Sequence, residues 1–404
     1  MELVPILSAM RRNKVGAIII VVQMAVTLAI LCNALFIIEQ RIAWSERPTG
    51  ADERNVFVII NQWVGDPTNL PALLQADLAG LRALPGVIDA FASNSFLLSN
   101  GGWSYGVDLM PDQKESTAQA ARYFTDEHGL QSLGLKLIAG RNFNADEIAD
   151  LFGVNDQTPA VSVIITKALA EKLFPGKSAL GQSVWIANHA ANIIGIVDRL
   201  QVPWVDPSVA KFSDYSILEP FRYVASGLYY IVRTQPGQLE AVLKAAEKEL
   251  FDLNRERVLG KSRSLTEARV EAYKDDRGLA VILGVVCAAL LVITAFGIVG
   301  LTSYWVAQRR RQIGIRRALG ATRHAIVRYF QTENLLIAGA GAAIGVALAL
   351  SLNLWMVNAF AMQRLHGSYP LVGAIVVLIL GQAAVLWPAL KAASIPPALA
   401  TRAA

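Results

Sequence analysis

The sequence predicts a membrane α-helical protein, with four transmembrane helices and a large α+β extracytoplasmic domain between helices 1 and 2. Three observations support this prediction. Apolar residues make up 54% of the 404 residues and charged residues only 17%, a composition typical of membrane proteins. Four uncharged stretches are each long enough to cross a bilayer, which needs about 20 apolar residues in a helix. A long segment with alternating strand and helix patterns separates the first stretch from the second.

The four uncharged stretches are the predicted transmembrane helices. The first is too long for the hydrophobic region of a signal peptide and has no small-residue cleavage site, so we expect an uncleaved anchor. The predicted spans are residues 15–38, 278–307, 334–363 and 367–390.

The basic residues orient these spans. Lysine and arginine cluster before the first span, between the second and third, and after the fourth, whereas the loop between the third and fourth carries only Arg364, with His366. The positive-inside rule therefore places both chain ends in the cytoplasm. The predicted cytoplasmic segments are residues 1–14, 308–333 and 391–404, and the predicted outer segment is 39–276.

The charge distribution also bears on nucleic-acid binding. Residues 39–276 hold 23 Lys and Arg against 30 Asp and Glu, a net charge of −7, whereas the rest of the chain has a net charge of +12. The basicity therefore belongs to segments that flank the membrane. Because no basic face interleaved with aromatic residues is present, we expect no nucleic-acid partner.

The outer segment alternates strand and helix patterns, which predicts an α+β domain in two lobes. Strands are expected at "NVFVIIN", "GVIDAFASNSFLL", "VSVIIT", within "SVWIANHAANIIGIVD" and at "SGLYYIVRT", with helices at 70–84 and 238–253. Ser264 and Glu267 form a capping box that begins another helix. No Gly or Pro interrupts the sequence from there to Gly278. A continuous helix from Ser264 through the second span would be about 66 Å long, whereas the hydrocarbon core is only about 30 Å thick, so we predict a stalk outside the membrane. The helix of the first span is likewise expected to continue outward until Pro48 ends it.

The predicted cytoplasmic segment between spans two and three is strongly basic. Residues 309–330 contain seven arginines and no acid. Ile315, Ala318 and Leu319 fall on one face of a predicted short helix, with arginines around the other. Gly320 is a helix stop and Thr322 an N-cap for the helix that follows. A simpler alternative is that the arginines only fix the membrane topology.

Small residues at helix-packing spacing occur in the third span. Gly341 and Gly345 form a small-xxx-small pair, repeated by Ala338 and Ala342, and this spacing lets two helices approach closely. The sequence leaves open whether the partner helix belongs to the same chain or to a second copy.

Three apparent catalytic or metal-binding patterns do not fit their chemistry. "EKLFPGKS" has Glu171 where a phosphate-binding loop needs its first glycine. "GWSYG" places Ser104 in a nucleophile-elbow pattern, but the residues that follow alternate as in a strand, which favours a hairpin or loop. The four histidines, at 128, 189, 324 and 366, have no metal-ligand spacing. We therefore predict no catalytic residue and no metal site.

Several segments together resemble one known family. The run "RRRQIGIRRALGATRHAIVRYFQTENLLIAGAGAAIG" is similar to FtsX-like permease domains of ABC transporters, and the tail "WPALKAASIPPALATR" is similar to that family's ending. In the outer segment, "GLKLIAGRNF", "VIITKALAEKLFPGKSALGQSVWI" and "NIIGIVD" resemble the MacB-like periplasmic core domain. The resemblance covers nearly the whole chain.

The resemblance implies that the loop between spans two and three is a coupling helix, which sits in a groove of an ATPase subunit. Glu333 matches an acid of the family at the start of span three. Gln312 departs from the family, which usually has Glu there, so one charge contact with the ATPase is expected to be absent. The implied contact residues are Ile313, Ile315, Arg316, Arg317, Ala318, Leu319, Gly320 and Ala321.

The resemblance also implies partners and a location. MacB itself carries an ATPase domain ahead of span one, and this chain has none there. We therefore expect a separate ABC ATPase subunit that binds ATP and Mg²⁺, with no cofactor in this chain. The other implied partners are a second copy or paralogue of the permease, a periplasmic adaptor, and the lipid bilayer of the bacterial inner membrane.

The leading hypothesis is a permease subunit that couples ATP hydrolysis to movement of its periplasmic domain, for export or extraction of a substrate. Its spans carry almost no ionisable residue, whereas a substrate pathway or proton relay normally needs some. Two alternatives remain: a non-transport regulator that acts on a periplasmic partner such as a cell-wall hydrolase, and a membrane-anchored enzyme using Ser104. The substrate, and assembly as homodimer or heterodimer, stay open.

Overall fold

The computed structural model describes residues 14–65, 69–153, 158–360 and 363–394. The chain divides into two compact units. A helical unit combines Met1–Ala43 with Asp276–Ala404, and a mixed α/β unit comprises Trp44–Asp275.

Ten α-helices form within the described residues. In chain order they are α1 Lys14–Ser45, α2 Leu70–Ala83, α3 Gly129–Leu133, α4 Lys167–Leu173, α5 Leu239–Leu253, α6 Leu265–Ala272, α7 Lys274–Gln308, α8 Arg310–Ala318, α9 Arg323–Phe360 and α10 Ser368–Ala393.

The described residues also form fourteen β-strands, all in the mixed unit. They are β1 Val56–Trp63, β2 Val87–Ser93, β3 Trp103–Asp108, β4 Ala118–Phe124, β5 Leu137–Gly140, β6 Ala149–Phe152, β7 Ser162–Thr166, β8 Ser183–Ile186, β9 His189–Val197, β10 Ser216–Glu219, β11 Phe221–Val224, β12 Gly227–Thr234, β13 Arg257–Leu259 and β14 Arg263–Ser264.

Four of the helices (α1, α7, α9 and α10) are long and apolar enough to cross a membrane. Together with the mixed unit, they confirm the predicted fold class at this level. Each predicted span falls largely within one of them. Helix α9 begins at Arg323, directly after the predicted N-cap at Thr322, and Phe360 is its last described residue, since residues 361–362 of the predicted span 334–363 lie outside the described part. The basic segment before the first span and the chain from 395 onward lie outside the described residues.

The predicted continuous stalk helix is wrong. The capping box forms as expected, since the Ser264 hydroxyl accepts a hydrogen bond from the Glu267 amide and the Glu267 carboxylate accepts one from the Ser264 amide. The helix then breaks at Tyr273, whose backbone φ of −102° and ψ of 16° leave helical geometry. The Tyr273 side chain is fully buried, and its hydroxyl lies 3.2 Å from the Gln201 amide nitrogen. Tertiary burial of this ring accompanies a break that no Gly or Pro signals.

The mixed unit contains two larger sheets and a two-stranded one, in keeping with the predicted α+β class. One sheet has the order β13-β1-β12-β2, with β14 also paired to β1. The other has the order β5-β9-β7-β10-β4-β3-β8, and β8 also pairs with β9. The third joins β6 to β11 in parallel. Predicted strands correspond to β1, β2, β7, β8, β9 and β12, and β3 lies where a hairpin or loop was expected. Strands β4–β6, β10, β11, β13 and β14 were not predicted because they are short or lack clear alternation.

A buried ion pair joins helix α2 to strand β13 in the mixed unit. The Arg257 guanidinium donates to both oxygens of Asp77, at 2.7 and 2.8 Å, and the two side chains are 0% and 1% exposed. The Tyr230 hydroxyl donates to the same carboxylate at 2.5 Å. Burial, followed by the nearby Asp77 charge, raises the pKa of Tyr230 well above its usual range. The tyrosine therefore remains a donor.

A second ion pair anchors the segment that follows α1. The Glu53 carboxylate accepts hydrogen bonds from Arg269, at 2.7 and 2.8 Å, and from the Thr49 hydroxyl at 2.6 Å. Burial by itself would raise the pKa of Glu53. The hydrogen bonds from Arg269 and Thr49, together with the positive charge of Arg269, outweigh this effect, so the pKa is lowered. Arg269 also donates to the Ser45 and Arg47 carbonyl oxygens.

Candidate functional site

The arginine-rich segment folds as the predicted helix, turn and second helix. Helix α8 ends at a left-handed turn, where Gly320 adopts φ +99°. Only glycine takes this conformation without a steric penalty. The Thr322 hydroxyl accepts a hydrogen bond from the Ala325 amide at 3.2 Å and so caps the start of α9. The local signals in the sequence therefore identified both helix ends.

Helix α8 presents an exposed apolar face. Leu319 is 83% exposed and Ile315 is 45% exposed, and Ala318 beside them is also exposed. Large apolar side chains grouped on a surface outside the apolar spans are typical of a protein–protein contact. Ala321 in the turn is half-buried and packs against the core of the helical unit.

Ile313 differs from the other implied contact residues. Its side chain is only 5% exposed and belongs to the core of the helical unit, together with Ile326 and Phe330 of α9. The implied placement of Ile313 at a partner contact therefore needs correction. Because it lies on nearly the opposite face of α8 from the exposed Ile315, it holds this helix against its own chain.

Three arginines fix α8 to the neighbouring helices. Arg309 donates to both oxygens of Glu333, at 3.0 and 2.8 Å, and these side chains are 12% and 3% exposed. Arg317 donates to the Ala393 carbonyl oxygen of α10 at 2.6 Å. The Arg316 guanidinium lies 5.1 Å from the centre of the Tyr329 ring. The pairing of Arg309 with Glu333 was not predicted, although Glu333 is the only acid after Asp276 and was a natural partner.

The two glycines of the third span pack within the chain. A Cβ atom on Gly341 would lie 3.0 Å from the Met24 Cβ, and one on Gly345 would lie 2.9 Å from the Leu28 Cβ, both on α1. Such distances leave no room for a side chain. In this structure, α1 of the same chain occupies the space beside both glycines.

The apparent nucleophile lies in a sheet. Ser104 is in β3, a strand without the strand–turn–helix geometry of a nucleophile elbow, and its hydroxyl accepts a hydrogen bond from the Gln119 amide at 2.9 Å. This strand pairs antiparallel with β4, the next strand along the chain, as the hairpin interpretation predicted. In the part of the chain that the structure describes, no group of three or more His, Cys, Asp or Glu side chains has the arrangement of a metal site.

Comparison with known families supports the resemblance seen in the sequence. Residues 15–249 match the MacB-like periplasmic core domain, and residues 284–397 match the FtsX-like permease C-terminal domain. The first match alone covers more than half of the chain. This chain belongs to the MacB-like, FtsX-like family of ABC transporter permeases.

Individual relatives share low identity with it. MacB, a macrolide export ATP-binding/permease protein, is 27% identical in Pasteurella multocida, over 83% of this chain and 50% of its own length. MacB of Chromobacterium violaceum is 29% identical, over 54% of this chain and 32% of its own length. The uncharacterized ABC transporter permease YknZ of Bacillus subtilis is 24% identical, over 81% of this chain and 78% of its own length. The chain thus matches about a third to a half of the length of these MacB relatives.

Two solved structures are also similar. The extracellular domain of YknZ from Gram-positive bacteria has 18% identity and a TM-score of 0.33, covering 50% of this chain and 100% of that one. The periplasmic region of MacB from Actinobacillus actinomycetemcomitans has 14% identity and a TM-score of 0.35. The match covers 55% of this chain and 94% of that one.

Proposed function

We propose that this chain is the permease subunit through which a separate ATPase acts, by transmitting movement to the mixed unit for export or extraction of a substrate. The observation that carries the proposal is the exposed apolar face of α8, formed by Ile315, Ala318 and Leu319. This face lies on the short helix between two membrane-spanning candidates. It is rimmed by arginines that would meet an acidic groove.

The attachments of α8 suit it to transmit force. Arg309 pairs with Glu333, Ile313 packs into the helical core, and Arg317 bonds to α10. A push on α8 would therefore move the helical unit with it instead of bending one loop. Helix α7 is also continuous over 35 residues, Lys274–Gln308, and its first two residues belong to the mixed unit.

The partners and location follow from this proposal. An ATPase subunit would bind ATP and Mg²⁺, and a second copy or paralogue of this permease would complete the complex, with a periplasmic adaptor as a further partner. The positive-inside pattern supports an inner-membrane protein whose mixed unit is periplasmic. The MacB relatives are named as macrolide export proteins, which supports export for this chain.

The decisive experiment changes the exposed face of α8 without touching its internal bonds. Leu319→Asp would place a charge in the centre of the ATPase contact, where an unpaired buried charge costs several kcal/mol. The matched control is His324→Asp, which adds the same charge at an exposed position in the first turn of α9. Both variants should insert normally, because the arginines that orient the chain remain.

The expected result is that Leu319→Asp loses the ATPase in a pull-down and abolishes transport-dependent growth, whereas His324→Asp retains both. Reversing Arg316 and Arg317 to Glu is a less selective variant, because Arg317 also bonds to Ala393. If Leu319→Asp inserts, retains the ATPase and supports growth as the wild type does, α8 is not the coupling helix.

A further inference from the structure

A small cleft lies between α8 and the start of α9, on a different side of α8 from its exposed apolar face. Its enclosed volume is about 30 Å³, roughly the space of one water molecule, so a larger group would contact only the side chains at its mouth. Two cations, an amide and a tyrosine are among the side chains around it. The lining residues are Arg309, Gln312, Ile313, Arg316, Ile326, Tyr329 and Phe330.

The charge of the cleft comes mainly from Arg316. The Arg309 charge is balanced by the buried carboxylate of Glu333. Arg316 has no ion-pair partner in the described part of the chain, and its guanidinium lies against the Tyr329 ring. A planar guanidinium held on an aromatic ring keeps its N–H donors directed outward, a geometry suited to a phosphate group.

The cleft lies at the depth of lipid headgroups if α7 and α9 cross the membrane. Residues 278–308 and 334–360 contain no charged side chain, so the apolar segments end at Arg309 and Glu333. Tyr329 lies one turn beyond Glu333, about 6 Å along a helix axis. The headgroup region adds about 5–7 Å on each side of the hydrocarbon core. Basic pockets at this depth are suited to anionic headgroups.

We propose that Arg316 and Gln312, which are exposed at the mouth of this cleft, bind the phosphate group of an anionic phospholipid from the adjoining leaflet. Arg316 would donate charged hydrogen bonds to the phosphate oxygens, and Gln312 would donate through its amide. The acyl chains would extend along the apolar part of α9. Arg316 would then serve the lipid in place of the ATPase contact that the resemblance implies for it. Ile315, Ala318 and Leu319 lie on another face of α8, so the ATPase could bind there at the same time. Occupancy of the cleft would then stabilise the position of α8.

The test measures lipid binding to the full chain by native mass spectrometry, in a nonionic detergent at moderate salt. The probes are phosphatidylglycerol and phosphatidylcholine with identical acyl chains, and inorganic phosphate. The wild type should retain phosphatidylglycerol preferentially. Arg316→Gln removes the main cation, and Gln312→Glu places a carboxylate beside it at an exposed position. Each should weaken phosphatidylglycerol binding about tenfold or more, the effect of losing a charged hydrogen bond.

The matched control is Arg323→Gln, which removes the same charge from an exposed position of the same segment outside the cleft. It should change binding by less than about threefold, because exposed charges at a distance are screened by salt. Equal weakening by Arg323→Gln and Arg316→Gln would mean diffuse attraction and overturn the proposal. Absence of any preference for phosphatidylglycerol would overturn it too. So would full displacement of the lipid by inorganic phosphate or by the ATPase subunit, since the cleft would then belong to that ligand.

Discussion

Breaking the buried ion pair between Asp77 and Arg257 should strongly destabilise the mixed unit. Asp77→Asn keeps the size of the side chain but removes the negative charge that faces the fully buried guanidinium. It also replaces one acceptor of the two-bond contact with a donor, and that donor faces the N–H groups of Arg257. Leaving one partner of a buried pair uncompensated costs about 3–5 kcal/mol. The pair therefore offers a large and well-defined perturbation.

The expected shift in melting temperature follows from the size of the unit. For a domain of roughly 150–250 residues, 1 kcal/mol corresponds to about 2–4 °C. Asp77→Asn should therefore lower the melting temperature of the mixed unit by about 6–20 °C. The assay is thermal unfolding of the full chain in detergent, followed by tryptophan fluorescence. Trp63 is a suitable reporter because Arg257 lies 5.9 Å from its ring.

A matched control lies on the adjacent helix α5. Asp252 pairs with Lys248 at 3.4 Å, but these side chains are 54% and 81% exposed. An exposed pair of this kind contributes about 0.5 kcal/mol or less. Asp252→Asn should therefore shift the melting temperature by no more than about 2 °C. If Asp77→Asn shifts it no more than this control, the assignment of Asp77 and Arg257 as a stabilising buried pair is wrong.

Three further predictions address packing, pH dependence and topology. Gly345→Val should destabilise the helical unit by about 1–3 kcal/mol, because α1 fills the space beside Gly345. Gly339→Val, on the same helix, would meet no atom within 4 Å and should cost little. Equal losses in thermal stability for the two variants would contradict this prediction. The pKa of Glu53 is lower in the folded state than in the unfolded state. The stabilisation that its carboxylate gives to the folded state is therefore present above about pH 4.3 and is lost as the pH falls through the folded-state pKa. The wild type should therefore be about 1.5–3 kcal/mol more stable than Glu53→Gln at pH 7, and this difference should disappear in acid; a difference independent of pH would refute the ion-pair argument. In intact cells, a cysteine at the exposed Ser178 should react with membrane-impermeant reagents, and labelling only after lysis would refute a periplasmic mixed unit.

The sequence predicted elements whose signals are local. Helix α8 has its apolar face at 315, 318 and 319, its stop at Gly320 and its N-cap at Thr322, and the structure forms all of these. The capping box at Ser264 likewise depends on residues only three positions apart. Such features depend on backbone geometry and neighbouring side chains, so a single sequence is sufficient to identify them.

Features that depend on distant contacts could not be predicted in this way. The break at Tyr273 coincides with burial of a ring against the rest of the mixed unit, which no local pattern reveals. Ile313 is as apolar as Ile315, and periodicity alone does not show which one faces the core. The spacing of Gly341 and Gly345 predicts a close helix contact, but only the structure identifies α1 as the neighbour.

The central claim is that the exposed face of α8 contacts the ATPase, and site-specific photo-crosslinking tests it most directly. A benzophenone amino acid would replace Leu319, which is 83% exposed, and in a control would replace Tyr304 of α7, which is 59% exposed. Crosslinking would be carried out in membranes that contain the ATPase subunit. We expect an adduct with the ATPase from position 319 and none from position 304. No adduct from position 319, under conditions where the ATPase co-purifies with the permease, would contradict the coupling role of α8.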